Sequence, residues 1–127
     1  MRIIITLLCL LTFNTLLKSQ PGSDSSIVFD ATVFDFGAIE KGSVAEHDFV
    51  FKNQGQNPVT IINVRATCGC TVTKWTLDPV KPGESGLVKV KYNTSIEGQF
   101  TKSVIVIKSN NYKTYTLFIK GEVKRRK

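Results

Sequence analysis

The feature that most constrains this chain is a two-residue alternation of apolar and polar side chains, repeated in short runs with no sustained helical period. Val44 to Phe51 sets Ala45, His47, Phe49 and Phe51 on one face against Glu46 and Asp48. Val59 to Thr67 sets Ile62, Val64 and Ala66 against Asn63 and Arg65. Gly86 to Tyr92 sets Val88, Val90 and Tyr92 against Lys89 and Lys91, and Lys113 to Lys120 sets Tyr115, Leu117 and Ile119 against Thr114, Thr116 and Lys120. Phe100 to Lys108 is a further strand, whose Val104-Ile105-Val106-Ile107 run predicts burial on both faces. Ile27 to Phe36 supplies one or two opening strands and Thr71 to Trp75 another.

Turn chemistry separates these runs: Lys41-Gly42, Asn53 to Pro58, Lys81-Pro82-Gly83-Glu84, Glu97-Gly98 and Asn110-Asn111. Short strands with a turn every 8–12 residues or so argue for an all-β chain, an immunoglobulin-like β-sandwich of about seven strands.

The N-terminus reads as an address. Met1-Arg2 precedes an apolar run from Ile3 to Leu17, the length of a signal-peptide core and below the roughly 20 residues of a membrane span. The organisation expected is a signal peptide over 1–19, a Pro/Gly/Ser linker over 20–26, one sandwich domain over 27–123 and a basic tail over 124–127. Charge supports the division. The chain carries 17 Lys+Arg against 10 Asp+Glu, a net +7. Setting aside Arg2, Lys18 and the four tail residues Lys124-Arg125-Arg126-Lys127 leaves 11 basic residues against 10 acidic. A nearly neutral body has no basic face for nucleic acid. The chain is therefore expected to be exported to the periplasm, cell surface or medium, with no transmembrane segment after cleavage.

Cys9 would leave with the leader, so the mature chain keeps Cys68 and Cys70 in an oxidising compartment. Both sulfurs fall on the inward face by alternation. Two residues of extended strand rise ~6.6 Å, too far for a disulfide, but Gly69 can take a positive φ and fold the chain back. Three uses stay open: a tight-loop disulfide or packed thiols, a redox dithiol, or a thiolate site for Cu(I) or Zn(II). A closed zinc site needs four ligands, and only His47 is left to add. Cys68, Cys70 and His47 are thus weak metal candidates, and no cofactor is expected. His47 otherwise reads as a core or sheet-edge residue, and Trp75 as packing beside the cysteine loop. Asn93-Thr94-Ser95 fits a glycosylation sequon but reads as a turn. With one histidine and no adjacent nucleophile, the usual acid–base arrangements are not assembled, so no enzyme is expected.

Phe34-Asp35-Phe36-Gly37-Ala38-Ile39, Phe51-Lys52-Asn53-Gln54-Gly55 and Cys68-Gly69-Cys70-Thr71 resemble a bacterial family, domain-of-unknown-function family 1573. Pro82-Gly83-Glu84-Ser85-Gly86, Val88-Lys89-Val90, Gly98-Gln99-Phe100 and Ser109-Asn110 extend the resemblance over about residues 30–123. Many relatives carry Pro shortly after the Cys-Gly-Cys-Thr, where this chain has Val72-Thr73-Lys74. The resemblance implies an exported protein of the Bacteroidetes group with no established activity. The function expected is a non-enzymatic immunoglobulin-like module binding a protein or glycan of the cell envelope. The alternative is an envelope Cu/Zn or thiol-redox protein using Cys68 and Cys70.

Overall fold

The computed structural model describes residues 26–67, 69–109 and 111–127, with the backbone but not the side chain of Thr73. The expected leader and most of the linker lie outside the described residues. Among the described residues eight strands follow in order: β1 (Ile27–Phe29), β2 (Val33–Glu40), β3 (Ala45–Asn53), β4 (Ile61–Ala66), β5 (Cys70–Trp75), β6 (Ser85–Tyr92), β7 (Gly98–Lys108) and β8 (Thr114–Lys124). They form two four-stranded sheets, β1-β3-β6-β5 and β2-β8-β7-β4. Pairing is antiparallel except for β2 on β8, which is parallel. The opening segment changes sheets between Phe29 and Val33, so it counts as two strands. No helix among the described residues is long and apolar enough to cross a membrane.

The inner faces interdigitate as the alternation predicts. Phe49, Phe51, Val88 and Val90 of one sheet meet Val104, Val106, Leu117 and Ile119 of the other, all essentially buried. Asn53 is also buried, and every polar atom of its amide is used. Its Nδ2 donates to Asn57 O and Val80 O, both at 2.8 Å, and its Oδ1 accepts from Gly55 N at 2.9 Å. These bonds fasten the long 53–58 turn to the facing loop, where an unpaired amide would be costly.

Three expectations are corrected. Ile62 is exposed and Ile61 is buried instead, because β4 carries an extra residue: Ile61 pairs with Lys108 but Asn63 with Ile107. Ala66 keeps the parity of buried Val64 but is exposed as the last residue of the strand. Ile105 is 37 % exposed, because the outer face of the second sheet is open to water and not covered by a further layer. Trp75 packs on the core but not beside the cysteine loop. It ends β5 five residues from Cys70, about 16 Å along a strand. The basic end differs slightly from expectation too, since Lys124 belongs to β8 and sits in register with Glu40.

The outer faces of the two sheets differ. The first carries a charge ladder, with Glu46 opposite Lys91 and Asp48 opposite Lys89 at 3.8 Å. The second carries Val33 beside Phe118, with Ile105 on the diagonal.

Candidate functional site

The cysteine loop closes one end of the sandwich. Cys70 N donates to Thr67 O at 3.1 Å, and Gly69 takes φ +89° at the third position of the turn. Glycine takes that sign of φ at that position without strain. The fold-back expected of Gly69 is therefore present. Asn93 N donates to Gly69 O at 2.9 Å and ties the turn to the end of β6. A Cβ on Gly69 would lie 3.3 Å from the Tyr92 ring and 3.7 Å from Lys102 Cε, so the loop rests directly on both. Tyr92 stacks on Phe100 with centroids 3.7 Å apart and planes at 15°. Gly69, Tyr92, Ile96, Gly98, Phe100 and Lys102 line a cleft of about 310 Å³ here.

Cys70 is half-buried, opposite inward-facing Tyr92, and carries a free thiol. Burial pushes its pKa up, with the Lys102 ammonium and a hydrogen bond from Thr67 pulling partly back. A thiol held protonated at neutral pH is a poor nucleophile and a poor metal ligand. Cys68, the expected bridge partner, lies outside the described residues.

His47 sits elsewhere. It is in register with Val90, stacked on Phe34 with centroids 3.7 Å apart at 10°, and meets Phe49 edge-on at 4.7 Å. Burial lowers its pKa, and neighbouring Asp48 opposes the shift. Strand β6 stands between β3 and β5, so the backbones carrying His47 and Cys70 are two strand spacings, about 10 Å, apart. The two candidates are not brought together. Among the described residues no three His, Cys, Asp or Glu side chains gather as metal donors.

Sequence reasoning missed Tyr92, Phe100 and Lys102 as neighbours of the cysteine loop. Their inward parity was readable, but nothing local says that β6 and β7 meet the loop at this end. Asn93-Thr94-Ser95 is a turn as expected, with Ser95 N bonded to Asn93 Oδ1 at 3.0 Å and Thr94 Oγ1 to Ser43 O at 2.6 Å.

The family described as "Protein of unknown function (DUF1573)" matches residues 27–123. No curated protein matches the chain. Among solved structures the chain is similar to the VesB protease of Vibrio cholerae, with TM-score 0.67 and 18% identity. That match covers 78% of this chain and 32% of the protease, so the chain spans about a third of that relative's length. It is also similar to the seventh PapD-like (ASH) domain of human CEP192, with TM-score 0.66, 10% identity, and coverage of 80% and 87%. A third is the Acinetobacter baumannii CsuC–CsuE chaperone–tip adhesion subunit pre-assembly complex, with TM-score 0.55, 11% identity, and coverage of 79% and 58%. These likenesses establish the sandwich fold.

Proposed function

This chain belongs to the DUF1573 family, and we propose that it works as an exported, non-enzymatic immunoglobulin-like module that binds a protein of the cell envelope. The observation that carries the reading is the apolar run across the outer face of the second sheet. Val33, Phe118 and Ile105 are 47 %, 39 % and 37 % exposed and adjoin one another across β2, β8 and β7. A water-facing antiparallel sheet ordinarily fills such positions with polar residues, and grouped exposed apolar side chains mark interaction surfaces. Aliphatic and phenyl groups suit another protein better than a hydroxyl-covered sugar. CsuC, a chaperone, pairs with a tip adhesion subunit in its complex, so a sandwich of this kind can serve protein assembly.

The separation of Cys70 from His47, and the neutral thiol that burial favours at Cys70, support a non-enzymatic role. The leader pattern of residues 1–19 supports export.

The test is affinity capture from envelope extract with residues 20–127, beside a Val33→Lys, Phe118→Lys variant shown by thermal melting to be folded. Capture of a protein by the wild type and its loss in the variant is expected. Equal capture by both would sink the reading, and capture of glycan alone would replace protein by sugar.

A further inference from the structure

Strand β3 is complete on one side and unfinished on the other. Toward β6 it pairs from Ala45 to Lys52 with no register shift, but toward β1, among the described residues, it is covered only from Val50 to Asn53. Bonds at the covered end fix the direction of its backbone groups. Asp30 N donates to Val50 O at 2.9 Å and Gln54 N to Ser26 O at 2.6 Å, both on the β1 side. Asn53 N donates to Glu84 O at 2.9 Å on the β6 side. Backbone groups of a strand alternate sides residue by residue. The N–H and C=O of Glu46 and Asp48 therefore point out of the open edge, and among the described residues nothing pairs with them.

The other edges are blunted. Strands β2, β4 and β5 each carry a register shift, and β1 is three residues long. Bulges and short strands are the usual means of keeping an edge from templating a foreign strand. The Ala45–Phe49 edge has neither. Beside it, β2 of the facing sheet turns Phe34, Phe36 and Ile39 toward the core, and each is only partly buried. Glu46, His47, Asp48 and Lys89 border a groove of about 410 Å³.

We propose that the Ala45–Phe49 edge docks an extended segment of a partner protein in which basic and apolar residues alternate. The proposal rests on the protein-binding reading above and adds a separate contact on the first sheet, apart from the Val33–Phe118 face of the second. A strand laid on β3 turns every second side chain inward against Phe34, Phe36 and His47, which asks for apolar residues. The others point outward beside Glu46 and Asp48, where opposite charge is the favourable cross-strand neighbour. The contact of Asp48 with Lys89 is 3.8 Å long and solvent-exposed, so that carboxylate remains available to a second cation.

The experiment uses residues 20–127 and fluorescent peptides of about ten residues, a long strand: alternating Lys and Val, alternating Glu and Val, and Lys and Val in two blocks. Binding is read by anisotropy, and amide hydrogen exchange by NMR. Asp48→Pro removes an edge donor without touching the β6 ladder, and a Glu46→Lys, Asp48→Lys double variant reverses the charge. The alternating Lys–Val peptide should bind best and protect the Glu46 and Asp48 amides. Either variant should weaken it roughly tenfold, about the net worth of one good hydrogen bond. The charge-reversed protein should come to prefer the Glu–Val peptide. If Asp48→Pro fails to fold, the double variant and the exchange data carry the test alone. Binding unchanged by the folded variants, protection at β4 or β5 instead, or no preference for alternation would overturn the proposal. Envelope capture that survives both edge variants would leave the module reading standing and this docking mode refuted.

Discussion

Gly86 of β6 faces Phe51 of β3 across one rung of the ladder, and the Phe51 ring occupies the space where a Cβ on residue 86 would stand. Phe51 is fully buried and cannot swing into solvent. Gly86→Ala should therefore destabilise the fold by about 1–3 kcal/mol through overpacking, read in urea melts. In a Phe51→Leu background the added methyl should cost about 1 kcal/mol less, because the ring edge it strikes is gone. Independent, additive costs would refute the contact.

Burial parity makes a second prediction. Leu117→Ala should cost about 2–5 kcal/mol and Val90→Ala about 1.5–3, while Lys89→Ala and Thr116→Ala stay within about 0.5. The sharper comparison is between neighbours. Ile61→Ala should cost several times as much as Ile62→Ala, since 61 is buried and 62 is 45 % exposed. The reverse order would place the bulge of β4 wrongly.

His47 gives a pH dependence. Burial holds the folded imidazole below its ordinary value, so the unfolded chain binds the proton first as pH falls through about 6.5. The contribution to stability is thus fully present above the unfolded value and is lost as pH falls toward the lower folded one. Urea midpoints at about pH 7.5 and about pH 5.5 should separate more for the wild type than for His47→Phe. Equal separations would remove His47 from the balance.

For Cys70 the shift runs upward. In the reduced, folded protein its alkylation, resolved by mass spectrometry, should follow a pH midpoint above that of the urea-unfolded chain. Lys102→Met should raise the midpoint further. A midpoint below the unfolded value would make Cys70 a reactive thiolate and restore the redox reading.

Export predicts an intact mass. Protein recovered from native cells should begin near Gln20, and a mass retaining Met1 to Ser19 would remove the oxidising compartment from the account.

Alternation in β3 and β6 was readable residue by residue. Ala45, Phe49 and Phe51 face Tyr92, Val88 and Gly86 as their parity requires, because that ladder runs without a shift. The fold-back at Gly69 was readable as well, since only two cysteines spaced by a glycine are involved and the constraint is local. The neighbours of that turn were not. Tyr92, Phe100 and Lys102 come from strands 22 or more positions away, and their arrival at the loop depends on which ends of the sheets meet.

What the sequence determined by itself is the class of fold, through an alternation that each strand carries within its own few residues. What only the tertiary structure decided is where that alternation breaks. An extra residue in β2 turns Ile39 inward after Phe34 and Phe36, one in β4 buries Ile61 and exposes Ile62, and one in β5 brings Trp75 inward after Val72. A strand separation of five from Cys70 would otherwise send Trp75 out. The reason is physical: the period of two belongs to one strand, but register belongs to two strands meeting from distant parts of the chain. A bulge forms where their lengths and packing demand it. The open edge of β3 is decided the same way, by how few residues β1 spends on this sheet before crossing to the other.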